Sequence, residues 1–211
     1  MTTIYHDLTL TLSPEIILVP ADRPPEFEES KSISRGDPYN LTTITFGTHT
    51  GTHIDVPKHF YDDGLTIDRL DLDHLIGPAR VIEIKDRRPI TRVDLEKHAI
   101  QPKEIILLKT DNSSLITGDR FDPGFTFLAP DAARYLVEVG ILTLGFDYFS
   151  VEDLNSAVPE VHYLLLSNNI VIIEGLDLSL VGPGEFRMVA LPLKIKDGNG
   201  SPTRVILIEE K

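Results

Sequence analysis

Neither cysteine nor tryptophan occurs among the 211 residues. The first absence excludes disulfides and thiolate metal sites, so any bound transition metal must be held by His, Asp or Glu. The second removes the largest aromatic stacking surface. Positive charge is scarce as well: 20 Lys and Arg stand against 33 Asp and Glu, a formal net charge of -13. A chain so acidic lacks the basic faces that DNA or RNA requires, and no nucleic-acid partner is expected. There is no apolar run of bilayer length and no basic, apolar N-terminal segment of the signal-peptide kind. No membrane partner is therefore expected, and the cytoplasm is the expected location. Three catalytic signatures are also missing, the G-x-S-x-G elbow, the H-E-x-x-H helix and the glycine-rich dinucleotide fingerprint.

What is present is concentrated in F-G-T-H-T-G-T-H-I-D-V-P-K-H-F. Three of the seven histidines and an aspartate (His49, His53, Asp55, His59) fall within eleven residues there. Neutral imidazole nitrogens and a carboxylate oxygen suit a zinc or manganese ion. Positions 49 to 59 of odd number share one face of an extended chain, and Gly51, the threonines, Ile54, Val56 and Pro57 oppose a helix. A straight strand would hold His49 and His53 about 13 Å apart, too far for two ligands of one ion. The expectation is a strand that enters the site, kinks at Gly51, and presents Asp55 and His59 beyond the kink. The competing reading is a set of ordinary solvated loop histidines.

A second group lies downstream. Pro159–Asn168 reads as a helix carrying His162, and Ile170–Glu174 as a buried strand ending in a carboxylate. Glu174 could be compensated by a metal, by an arginine, or by exposure at the strand end. His162 alone reads as a satisfied helical histidine. His6 could reach the site from the N-terminal strand, whereas His74 and His98 read as solvated.

The organisation is that of one α/β domain over residues 1–211. Strand patterns occur at Ile4–Leu12, Leu41–Phe46 and Ala79–Ile84. Thr91 caps a short helix ahead of strand Glu104–Lys109, and a helix from Pro130 stopped by Gly140 precedes strand Ile141–Phe146. Two late strands, near Arg187–Ile195 and Arg204–Ile208, flank the turn Asp197-Gly198-Asn199-Gly200. Such alternation predicts a mixed sheet covered by helices. Pro20–Lys31 and Asp111–Phe127 read as exposed loops able to shape a pocket. Phe121, Phe125 and Phe127 would line it or close it as a lid, or else pack against the core or a neighbouring subunit.

The segment H-T-G-T-H-I-D-V-P-K-H resembles the H-x-G-T-H-x-D-x-P-x-H signature of the cyclase family of metal-dependent hydrolases, whose members include bacterial kynurenine formamidase and isatin hydrolase. The likeness runs from Asp7-Leu8-Thr9 to Glu174-Gly175. It implies a mixed, barrel-like β core with helices packed outside, a cyclase-like swivelling β/α fold. It further implies that His49 and His53 bind a metal, that Asp55 can bridge two ions, and that His59 is the acid/base. His162 and Glu174 match the distal ligands. The implied cofactor is divalent, zinc or alternatively manganese, with one or two ions per chain. The implied state is a homodimer or higher homo-oligomer. The expected reaction is hydrolysis of a small amide, of the arylformamide or cyclic amide and lactone type, at a C–N bond other than a peptide bond. Alternatives are kynurenine formamidase proper, a cupin-like metal oxygenase, and a non-catalytic metal-binding relative. The chain departs from the family in one place. Where many relatives carry a W-P-G-D-like segment, it has Val19-Pro20-Ala21-Asp22.

Overall fold

Alternation along the central strands sets the architecture. The computed structural model describes residues 2–20, 22–86 and 89–211. In chain order its strands are β1 (Thr3–Asp7), β2 (Glu26–Lys31), β3 (Leu41–Thr45), β4 (His53–Asp55), β5 (Ile76–Glu83), β6 (Ile105–Lys109), β7 (Thr143–Phe146), β8 (Val171–Glu174), β9 (Gly184–Pro192) and β10 (Gly200–Glu210). The helices are α1 (Arg92–Glu96), α2 (Pro130–Val139) and α3 (Glu160–Ser167). The main sheet runs β1-β10-β4-β8-β7-β6-β5-β9, and β9 pairs again with β10. That last pairing closes seven strands into a mixed barrel and leaves β1 outside, along β10. Strands β5 to β8 are parallel, and the other pairings are antiparallel.

Each central strand serves two cores. Ile105 and Leu107 of β6, like Val171 and Ile173 of β8, face the barrel interior with Leu8, Ile54, Val81, Met188 and Val205. Ile106, Leu108 and Ile172 face outward onto Ala132, Leu136 and Leu165 of the helices. Strands buried on both sides read as unbroken apolar runs, which is how β6 and β8 appear in the sequence. The helices begin and end as expected. Thr91 and Asp94 form a capping box on α1, Pro130 opens α2, and Gly140 ends it in the left-handed conformation. The fold is thus a single-domain α/β structure with a mixed, barrel-like core and its helices outside.

Both expected loops need correction. Glu26–Lys31 is a strand, paired with β3 in a separate hairpin. Its run of glutamates hid the extended pairing, because neither face of this ribbon is buried. Asp111–Phe127 is not an exposed lid. Asn112 exchanges hydrogen bonds with Thr126 in both directions, at 2.8 Å each. Phe125 is buried and stacks on Tyr148 at 4.7 Å between centroids, with Phe121 and Phe127 beside it. The three phenylalanines therefore pack into the core. His74 is half-buried, with Nδ1 at 3.1 Å from the Leu142 carbonyl, rather than freely solvated. His98 is half-buried too, and its carbonyl accepts from Arg80.

Candidate metal centre

Two neighbouring strands of the barrel, the turns on either side of one of them and a helix carry the site. β4 lies between β8 and β10, and the antiparallel register puts His53 directly opposite Glu174. Asp55 is two residues further on the same face. His49 is supplied not by a strand but by a turn before β4, and Gly51, at φ +68°, swings the chain from that turn into the strand. The kink stands where the spacing required it, but the strand expected ahead of it belongs to the outer hairpin. After β4 a 3-10 turn, Pro57–His59, folds the chain back, so that the His59 ring stacks on His49 at 3.9 Å. Helix α3 brings in His162.

The six side chains converge. His53 Nε2 lies 3.4 Å from Asp55 Oδ1 and 3.4 Å from Glu174 Oε2. His162 Nε2 lies 3.4 Å from Glu174 Oε1 and 3.7 Å from Asp55 Oδ2. His49 Nδ1 is 2.6 Å from Asp55 Oδ1. Among the described residues, two sets of donor atoms could each surround one cation, His49–Asp55–His59 and His53–Asp55–Glu174, and they share Asp55. His6, on the outer strand β1, pairs instead with Glu209 of β10.

The electrostatics explain why this cluster can exist without solvent. Burial pushes Asp55 and Glu174 toward protonation, but His49 and His53 hold Asp55 well below the carboxylate range, and His162 and His53 hold Glu174 below it. Burial likewise opposes charge on His53, yet Asp55 and Glu174 raise it well above an ordinary histidine. Burial is outweighed at His162 too, where Glu152, Glu174 and Asp55 lift the imidazole to about 10. His59 is the exception. Burial pushes it down to about 4, with His49 and His162 adding to the effect and Asp55 opposing it. It is neutral at pH 7.

Metal fit can be judged from the donors themselves. Among the described residues, the buried atoms His49 Nε2 and Asp55 Oδ2 have no hydrogen-bond partner. Leaving such atoms unsatisfied costs about 1–3 kcal/mol each. A divalent cation among His53, Asp55 and Glu174 would satisfy Asp55 Oδ2, and imidazole and carboxylate donors suit such an ion, so the residues fit the group.

Beside the cluster opens a cleft of about 270 Å³ whose apolar wall includes Val19, Phe60, Phe149, Leu154 and Pro159. Val19 and Asp22, from the departing segment, both line it, while Ala21 lies outside the described residues. None of Phe121, Phe125 and Phe127 does. Sequence reasoning missed Phe60, Phe149 and the buried Glu152. Only Phe60 carried a signal, as the residue directly after the motif.

A buried His and carboxylate cluster at a barrel edge, opening onto an apolar cleft, defines a metal-centre class of site. Comparison with known proteins places it further. The family model described as "Putative cyclase" matches residues 6–153. The chain belongs to that family. It is 34% identical over 206 residues to a kynurenine formamidase of Bacillus thuringiensis (strain Al Hakam), covering 98% of each chain. A structure from Bacillus stearothermophilus described as a predicted metal-dependent hydrolase superposes with a TM-score of 0.87 at 30% identity, covering 100% of both chains. Isatin hydrolase A from Labrenzia aggregata, bound to benzyl benzoate, gives a TM-score of 0.83 at 27% identity, covering 99% of this chain and 94% of that one.

Proposed function

We propose that the chain is a metal-dependent hydrolase of a small amide, cleaving a C–N bond other than a peptide bond. The observation that carries this reading is the convergence of buried His53, Asp55, His162 and Glu174 with half-buried His49, and the buried Asp55 Oδ2 left without a hydrogen-bond partner. The names of the relatives point the same way. These five residues are the assigned ligands, of zinc or alternatively manganese, since imidazole and carboxylate donors suit both. Asp55 stands between two imidazoles, with His53 Nε2 at 3.4 Å from one of its oxygens and His162 Nε2 at 3.7 Å from the other, and that placement supports a pair of ions sharing its carboxylate. When bound, a divalent ion acidifies water and polarises a carbonyl oxygen. The protein's own part is proton transfer and enclosure. His59, neutral at pH 7, accepts a proton from the attacking water and returns it to the leaving nitrogen. Val19, Phe60 and Phe149 wall the cleft against bulk solvent.

A second reading, kynurenine formamidase proper, is favoured by the name of the Bacillus relatives. Against it stands Val19, an aliphatic wall residue where the family segment carries an aromatic one. An aryl group there loses a stacking contact worth about 0.5–1.5 kcal/mol beyond burial. A smaller or cyclic amide is therefore the proposed substrate. One experiment tests both levels, with metal content and turnover measured on a panel of N-formylkynurenine, simple formamides, cyclic amides and lactones. Working without dioxygen disposes of the oxygenase alternative. His53→Ala should deplete the metal; full occupancy in that variant would overturn the ligand assignment. A clear preference for N-formylkynurenine would restore the second reading.

The proposed assembly is a homodimer. Its support is the β2–β3 hairpin, which exposes Phe27, Ile33, Tyr39, Leu41 and Ile44. A lone two-stranded ribbon is marginal in water, and a second copy would give it a surface to cover. The cytoplasmic setting rests on composition, and cell fractionation tests it.

A further inference from the structure

We propose that Glu152 is a positioning residue that fixes His162 as a ligand from both its backbone and its ring. The inference rests on the metal-hydrolase reading above. Glu152 is 6% exposed and lies in the segment between β7 and α3. One oxygen, Oε2, receives three donors: Val161 N at 2.9 Å, His162 N at 3.2 Å and His162 Nδ1 at 3.3 Å. The first two are free amides of the first turn of α3, where Pro159 offers no side-chain cap. Glu152 thus caps the helix from a distance.

The third contact has a different consequence. With Nδ1–H donating to a carboxylate, the only lone pair His162 can offer is on Nε2, which points at Glu174 and Asp55. Ring orientation and tautomer are both set by this one oxygen. The adjoining segment is organised for the same purpose. The Val151 amide donates to Glu174 Oε1 at 2.7 Å, and the Glu152 amide donates to Ser150 Oγ at 3.0 Å. Consecutive residues thereby hold the two distal ligands, one each. An apolar residue in place of Glu152 would leave two helix amides and a ring N–H without their acceptor.

The test is zinc affinity, read by competition with a chromophoric chelator, for wild type, Glu152→Gln, Glu152→Ala and a His53→Ala control. Partners of this kind are typically worth 10–100-fold in metal affinity. Glu152→Gln keeps an oxygen for the three donors but loses the charge, and should weaken zinc about tenfold. Glu152→Ala should weaken it about a hundredfold. Nitrogen-15 spectra of the zinc-loaded protein should show a hydrogen-bonded, slowly exchanging His162 Nδ1–H in wild type and Glu152→Gln, and one that exchanges rapidly with solvent in Glu152→Ala. A residue that only caps the helix would lower the melting temperature and leave zinc affinity and the imidazole signal unchanged, and that result overturns the proposal. Should Glu152→Ala fail to fold, wild-type zinc affinity in Glu152→Gln overturns it equally. If the wild type binds no zinc, the metal reading itself fails; if His53→Ala keeps its zinc, the ligand assignment does. If His53→Ala loses zinc while both Glu152 variants bind normally, only the role of Glu152 does.

Discussion

Among the site side chains, His59 is held by ring contacts, stacked on His49 and set edge-on to Phe60 at 4.6 Å. Removing it should therefore leave the carboxylate and imidazole cluster standing. His59→Ala is expected to retain metal and fold while losing about 10²–10⁴ in turnover. Metal loss in that variant would make His59 a ligand, as its membership of one donor set allows. A pH effect follows from His162. Its pKa is raised to about 10 in the metal-free protein, against 6.5 for an ordinary histidine. The folded state then binds the proton more tightly than the unfolded one. That stability is complete below pH 6.5 and is lost as pH rises toward 10. Chelated protein should melt at progressively lower temperature over this range, and a flat profile would refute the charge assignment. The same proton competes with metal, so zinc affinity should rise with pH. Residues of the upstream cluster were legible because chemistry and spacing coincide in eleven positions. Glu152 was not, since nothing local distinguishes a buried glutamate from a solvated one. Phe121, Phe125 and Phe127 misled for the opposite reason: an aromatic in a loop has no period to say which way it faces.

At the scale of elements, β10 matters to the site although it contributes no ligand. Its first residue, Gly200, pairs with Asp55, and a Cβ there would stand 2.6 Å from the His49 ring and 2.8 Å from the Ile54 carbonyl. Backbone and imidazole occupy the space a side chain would need. Gly200→Ala should displace His49 and cost roughly 10²-fold in turnover, with a stability loss of about 1–3 kcal/mol from overpacking. Gly182→Ala, where nothing lies within 4 Å, is the control and should stay within about 0.5 kcal/mol of wild type. Equal behaviour of the two variants would show that Gly200 is not shaped to the ring. Elements buried on one or both faces were readable from their period and caps, as α2 and β6 illustrate. Strand β3 was readable as well, but its partner β2 was not, because its order is tied to pairing rather than to burial, and pairing partners leave no mark on a charged strand.

For the molecule as a whole, the proposed dimer gives the hairpin a use. Phe27 faces Ile44 across the ribbon, and both are exposed. Ile44→Asp would put a charge into any apolar contact made there. Sedimentation velocity should show a shift from dimer to monomer with the melting transition of the barrel retained; an unchanged dimer would place the interface elsewhere. Which fold closes was partly legible, since alternating helices and strands define a covered sheet. The turn Asp197-Gly198-Asn199-Gly200 already joined β9 to β10, and the family resemblance implied the barrel-like core; local patterns alone do not separate a barrel from an open sheet.

The position of β4 has a kinetic consequence. This three-residue strand owes its place to β8 on one side and β10 on the other, so His53, Asp55 and Glu174 meet only when chain segments remote in sequence have already assembled. A partly folded chain has no such constellation to offer an ion. Metal should then leave the refolding rate almost untouched and act on the unfolding rate, lengthening the lifetime of the native barrel. In the cell that makes the ion a lock on a finished structure, and not a template for building it.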